Sequence, residues 1–301
     1  MINRRDFVKQ SATLAFGGIM LNPWTDLTEM AKKRKYGVQL FTLFPTLEQD
    51  LKSNLQKIAA IGYKEIESAF STKGGYYGMK SKEFAAFSKE LGLSWQSHHV
   101  LGAPFKPRPD MDLSKMPKMP PMLTLKDNTQ QVVDEVAEGG VKYLVCASIP
   151  TGSLDEIKES VEILSKAGEK AKKAGLTLCY HNHDAEFNTV EGQIPYDIFL
   201  SQISPDLMKM ELDLAWVSKA GVDPVGLFKK YPKRFPLLHV KDMSSDFKTI
   251  MPVGEGSIDF KRIFAEAKLA GVKHFFVEHD MPKNAFESLS SSFKYLNGLN
   301  K

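Results

Sequence analysis

Long apolar runs, cysteine and unbalanced charge are all scarce in this 301-residue chain. Beyond the first few dozen residues no stretch stays apolar for the roughly 20 residues that a membrane-spanning helix needs, so no stable span is expected there. Only two cysteines occur, Cys146 and Cys179, both inside predicted neighbouring strands and without metal-ligand spacing. That excludes a disulfide scaffold and a thiolate metal site, and reads the pair as buried thiols. The net charge is +4, but residues 1–35 alone carry Arg4, Arg5, Lys9, Lys32, Lys33, Arg34 and Lys35 against Asp6, Asp26 and Glu29. That surplus accounts for the whole excess. The remainder is neutral and offers no electrostatic attraction for nucleic acid.

The first 35 residues read as a leader. Asn3-Arg4-Arg5-Asp6-Phe7-Val8-Lys9 matches the twin-arginine export pattern, and the weakly apolar Ser11 to Leu21 that follows is too short to cross a membrane. Export to a bacterial periplasm is the expectation. No clean small-x-small cleavage site precedes Lys32 to Lys35, which leaves the end of the leader open.

One grammar repeats along the rest of the chain: an amphipathic helical stretch, a glycine at its end, then a short β-rich run. It recurs at Ile61-Gly62-Tyr63, Leu91-Gly92-Leu93, Gly139-Gly140-Val141, Ala174-Gly175-Leu176 and Ala270-Gly271-Val272. Glycine there supplies the left-handed cap that turns a helix directly into the next strand. Eight strands are predicted near residues 36–41, 63–67, 93–98, 142–147, 176–182, 208–213, 235–240 and 273–278. Alternation with helices implies parallel pairing, and cores such as Tyr143-Leu144-Val145-Cys146 and Phe275-Phe276-Val277 are continuously apolar, as strands buried on both faces are. The pattern predicts an α/β fold, a single (β/α)8 TIM barrel over residues 36–301. Helix starts are expected at two capping boxes, Thr46 with Gln49 and Ser153 with Glu156, and at Ser81 and Asp223-Pro224. Residues 102–126, with six prolines and four methionines, exceed a plain βα loop. They read either as an insertion over the active-site mouth or as a tolerated surface excursion.

Glu186, Asp213, His239 and Glu278 each end or closely follow a predicted strand. In a closed barrel the carboxyl ends of the strands converge on one rim, so the four read together as one divalent-metal site. Three carboxylates and an imidazole suit Mn²⁺, Co²⁺, Mg²⁺ or Zn²⁺, which predicts chemistry on oxygen-rich substrates.

The runs His181-Asn182-His183-x-x-Glu186-Phe187, Glu211-Leu212-Asp213-x-x-Trp216, His239-Val240-Lys241-Asp242, Val253-Gly254-Glu255-Gly256 and Val277-Glu278 resemble the xylose isomerase-like barrel superfamily. That group is also labelled sugar phosphate isomerase/epimerase or AP endonuclease family 2. The similarity covers residues 36–298 and is strongest to the branch holding inosose dehydratase, hydroxypyruvate isomerase and the ketose 3-epimerases. The resemblance implies the same four metal ligands. It further implies that Glu186 and Glu278 remove and return a proton next to a carbonyl, through a cis-enediolate, with a small carbohydrate as substrate. By the same resemblance His181, His183 and Lys241 contact hydroxyls or assist a leaving group. Glu67, His98 and His99 line the same rim, and Trp216 forms its wall or a platform under a sugar ring. Relatives of this kind are often dimers or tetramers, so a homo-oligomer is implied.

Several motifs narrow the resemblance. Lys241-Asp242 follow His239 directly, with no arginine until Arg262, where ketose 3-epimerases carry one shortly after the histidine. Trp216 stands where the endonuclease IV group needs a third-metal histidine, which with the neutral barrel argues against DNA repair. Gly254 to Ser257 has the form of a phosphate cradle, but a lone Gly-x-Gly is weak and phosphorylated sugars are scarce in a periplasm. Lys241 and Asp242 read as site groups or as a simple ion pair, and His274 and His279 as structural or surface residues.

The leading expectation is a metal-dependent isomerase or epimerase of a keto-sugar or related polyol. The same groups would serve a dehydratase, hydratase or other lyase of the inosose dehydratase or 3-keto-glycoside type. A non-catalytic periplasmic sugar-binding barrel is the reading from another class, against which the acid and base pair argues. For the leader, replacing Arg4 and Arg5 by Lys should strand the protein in the cytoplasm on cell fractionation. Unchanged periplasmic yield would reject the export assignment.

Overall fold

A computed structural model describes residues 34–44, 46–105 and 120–299; the expected leader falls outside the described residues as far as Lys33. Eight strands, β1 (Gly37–Gln39), β2 (Glu65–Ser68), β3 (Ser94–Leu101), β4 (Tyr143–Ser148), β5 (Thr177–His181), β6 (Met208–Asp213), β7 (Leu237–Val240) and β8 (His274–Val277), close into one barrel. Every neighbouring pair is parallel, including the closing pair of β1 with β8. The expected (β/α)8 architecture is therefore present, with an α-helix outside the sheet between successive strands. The five helix-end glycines, Gly62, Gly92, Gly140, Gly175 and Gly271, all adopt positive φ, between 71° and 124°, as the turn into the next strand demands.

Local differences from the prediction have local causes. β1 stops at Gln39 because its side-chain oxygen accepts from the Phe41 amide at 3.1 Å, opening a 3-10 turn over Leu40–Leu43. Thr46 makes no capping bond; its hydroxyl donates to the Leu43 carbonyl, and Asp50 caps the helix Leu51–Ile61 through the Ser53 amide. Lys80, not Ser81, is the capping position of the helix Ser81–Glu90, its amide donating to the Glu83 carboxylate at 3.0 Å. Ser153 does cap Leu154–Lys173, but Glu156 takes the Gly152 amide in place of the reciprocal bond. Asp223 caps Pro224–Lys230 as expected. Cys146 and Cys179 are free and buried on neighbouring strands.

Alternation along the strands divides the barrel interior into layers. Val145, Cys179, Leu237 and Phe276 pack together as an apolar floor. Two residues further on lie His181 after Cys179, His239 after Leu237 and Glu278 after Phe276, so the strand period lifts polar groups to one level above an apolar base. The 102–126 segment leaves at Leu101 and returns at Thr124, which pair side by side in parallel register at the carboxyl end of β3. Thr124 then caps the helix Leu125–Glu138, so the excursion ends two residues earlier than expected.

The Gly254–Ser257 loop is not an open phosphate cradle. The buried Asp242 carboxylate accepts from the amides of Gly254 (2.9 Å), Gly256 (3.0 Å), Ile258 (3.2 Å) and Met243 (2.8 Å), occupying the donors that a phosphate would use. Asp242 is thus the anchor of a rim loop and takes no part in an ion pair with Lys241. A Cβ on Gly256 would stand 2.2 Å from Asp242 Oδ1 and 2.3 Å from the Met243 carbonyl. Asp242→Ala should cost about 3 kcal/mol by stranding these amides, and Gly256→Ala should also destabilise. Urea unfolding checks both, and an unchanged midpoint for Asp242→Ala would remove the anchor role.

Candidate metal centre

Asp213 is the last residue of β6 and caps the short helix Leu214–Lys219, its Oδ1 accepting from the Ala215 and Trp216 amides at 2.9 and 3.0 Å. Those two bonds fix the carboxylate and leave Oδ2 buried without a directed hydrogen bond, although the Lys241 ammonium stands 3.2 Å away. The ammonium lies off the direction a hydrogen bond requires, but at that distance it attracts the carboxylate electrostatically. Around Oδ2 lie His239 Nδ1 at 3.8 Å and His181 Nε2 at 4.0 Å, and Glu278 Oε2 is 2.9 Å from His239 Nδ1. Asp213, His239 and Glu278 thereby offer ligand atoms all within 4.8 Å of one another, and all three are buried.

Beneath them a second tier holds the imidazoles. Glu67 Oε1 lies 2.5 Å from His239 Nε2 and 3.2 Å from His99 Nε2, and accepts from Gln39 Nε2 at 2.8 Å. Glu67 Oε2 accepts from the Ser97 hydroxyl. Glu211 Oε2 lies 2.6 Å from His99 Nε2, 3.1 Å from His181 Nδ1 and 3.2 Å from His239 Nε2. Carboxylates on the Nε2 side of His239 hold the ring so that its Nδ1 faces Asp213 and Glu278, and a bound ion would take the Nδ1 proton's place. Burial works against charge at Glu67, but His99 and His239 hold its carboxyl well below the usual range. Burial and the neighbouring Glu67 push Glu211 up to about 7, against the pull of His239 and His99. Burial likewise opposes the His99 charge, yet Glu67 and Glu211 carry it up to about 9.

Lys241 completes the centre. Its buried Nζ lies 2.7 Å from Glu278 Oε2 and 3.0 Å from Asp280 Oδ2, and 5.4 Å from the Trp216 ring centroid. Burial disfavours the ammonium, but Asp213, Glu278 and Asp280 keep it charged. In return, and against its own burial, Glu278 is held far below the carboxylate range by Lys241 and His239. The two carboxylates of Asp213 and Glu278 and the imidazole of His239 fit a hard or borderline divalent cation, with Asp213 Oδ2 left without a hydrogen bond. A cleft of about 200 Å³ opens above, bordered by Phe70, His99, His181, His183, Lys241, Glu278 and Asp280.

The predicted residues are thus only partly brought together. Asp213, His239 and Glu278 converge, and His99, His181, Glu211 and His239 form a second donor group beneath them; among the described residues Glu186 is in neither. It lies in a 3-10 turn past β5, where its carboxylate accepts from the Tyr180 hydroxyl at 2.7 Å and the His183 amide at 3.0 Å. Glu67 does not line the rim: it is fully buried under His239. His98 pairs with Ser68 at 2.8 Å and borders a neighbouring cavity. Trp216 backs His183 and Lys241 from outside the cleft. His274 bonds Glu65 and His279 bonds Ser288, both away from the donor atoms. Glu211 and Asp280 are additional site residues. The signal for Glu211 was a charge in an apolar strand two positions before Asp213, on the same face.

Residues 55–297 match the family described as xylose isomerase-like TIM barrel. The chain is 25% identical over 163 residues to inosose dehydratase of Lacticaseibacillus casei, covering 47% of this chain and 54% of that protein, and 26% identical over 144 residues to the Clostridium tetani enzyme. The match spans about half the length of these curated relatives. In three dimensions it resembles a sugar phosphate isomerase/epimerase from Parabacteroides distasonis, with a TM-score of 0.72, 30% identity, and coverage of 88% of this chain and 94% of that one. By its matched length, its closed parallel barrel and these likenesses, the chain belongs to the xylose isomerase-like TIM barrel family.

Proposed function

We propose that this protein is a divalent-metal-dependent enzyme that enolises a keto-sugar or related polyol, with isomerisation or epimerisation as the outcome. One observation carries the reading: Glu278 belongs to the donor group and also borders the cleft, beside Lys241. A divalent ion held by Asp213, His239 and Glu278 supplies Lewis-acid polarisation of a carbonyl. Glu278 is the carboxylate placed to take a proton from the adjacent carbon, because the Lys241 ammonium beside it keeps it ionised. That ammonium also makes it a weak base. A substrate oxygen that draws the ammonium away from Glu278 restores its basicity, so binding and activation are coupled through Lys241. His181 and His183 offer ring nitrogens to hydroxyls along the wall.

A second reading, dehydration, has its own support. The matched curated relatives are named inosose dehydratases, and the cleft pairs one carboxylate with an ammonium, a combination suited to removing a proton and protonating a departing hydroxyl.

Purified protein should carry about one divalent ion per chain by elemental analysis, and His239→Ala and Asp213→Ala should lose it. Wild-type metal content in both variants would show the site to be misassigned. With metal retained, Glu278→Gln should lower turnover by on the order of 10² to 10⁴, because an amide still offers an oxygen but accepts no proton. Glu186→Gln should lose far less, its carboxylate being engaged by Tyr180 and His183. Equal losses would restore the two-carboxylate scheme. Incubation with a panel of keto-sugars in D₂O separates the outcomes: deuterium in a product of unchanged composition marks an isomerase, and loss of water a dehydratase. Binding without exchange across the panel would reduce the protein to a sugar-binding barrel.

A further inference from the structure

A second cavity, of about 100 Å³, adjoins the cleft of about 200 Å³ and shares Phe70, His99 and Leu101 with it. Only the two spaces together reach the lower end of the ~300–1,000 Å³ range of small-molecule sites, so a ligand that fills an ordinary site extends across both. Their chemistry differs. The cleft presents His181, His183, Lys241, Glu278 and Asp280, whereas the second cavity is walled by Phe70, Tyr76, Met122, Leu123 and Val132. Its rings are held in place: Phe70 packs edge-on against Phe41 and Phe44 at 5.5 and 6.2 Å, and Tyr76 against Trp95 at 4.9 Å. Glu135 borders it, and the His99 charge at the shared edge is already taken up by Glu67 and Glu211. Pre-set aromatic and thioether surface suits a flat ring, and Glu135 disfavours an anionic one.

We infer that the second cavity is a subsite for a neutral aromatic aglycone, and that the substrate is a glycoside whose sugar ring lies in the cleft beside Glu278 and Lys241. The inference rests on the carbohydrate reading of that cleft and names its substrate class. Phe70, common to both spaces, marks the junction between sugar and aglycone.

Binding of unreacted glycosides to metal-loaded protein tests this apart from catalysis. Phenyl and methyl glycosides, in both anomers of glucose and galactose, are titrated calorimetrically into wild type. At least one phenyl glycoside should bind about tenfold or more tightly than its methyl counterpart, from burial of the ring. Met122→Trp, which fills the cavity, should abolish that preference and leave methyl glycoside binding unchanged. Met122→Ala, which cannot overfill it, should retain the preference, and melting curves for both variants establish that they are folded. Equal affinity for phenyl and methyl glycosides, a preference that survives Met122→Trp, or binding of neither compound would overturn the inference. Failure of the enolising reading is seen separately, as absent deuterium exchange with keto-sugars.

Discussion

The imidazole of His239 joins two charged tiers, and the arrangement of the site follows from that contact. Its Nε2 meets Glu67 and Glu211 below and its Nδ1 meets Glu278 and, more distantly, Asp213 above. A ring tied on one nitrogen cannot rotate without breaking a buried charge-assisted bond, so the upper nitrogen keeps its direction. Everything above is arranged relative to it.

Burying this many ionisable groups is tolerable only because the signs alternate. Glu67 and Glu211 face His99 and His239, while Asp213, Glu278 and Asp280 surround the Lys241 ammonium. Removing one member would leave a partner charged in a medium that solvates it poorly, which makes the network interdependent. Asp213 Oδ2 has the Lys241 ammonium 3.2 Å away but no directed hydrogen bond, and there a divalent cation would add most.

Strand count, parallel pairing and the helix-end glycines were legible in the sequence because each depends on local periodicity or local backbone freedom. Asp213, His239 and Glu278 were legible for a related reason: they sit at or just past strand ends, where barrel closure dictates convergence. Glu186 was not, since it stands five positions past His181 at the end of β5, inside a 3-10 turn, and that turn, not the strand period, aims its side chain. Glu67 and Glu211 face inward on strands whose inner face is defined only once register is known. Thr46 and Asp50 show the same limit at smaller scale, two acceptors four residues apart with the choice made by the intervening 3-10 turn.

Asp213 serves two masters. Its Oδ1 closes the first turn of the helix Leu214–Lys219 while Oδ2 faces the donor group. Two amides and the positive end of that helix draw charge from the carboxylate, so an ion bound there would meet a ligand that is rigid but electron-poor. Such a ligand imposes geometry more than it imposes affinity. A divalent ion held there, as proposed, would be exchangeable and would keep enough of its own acidity to act on a substrate oxygen.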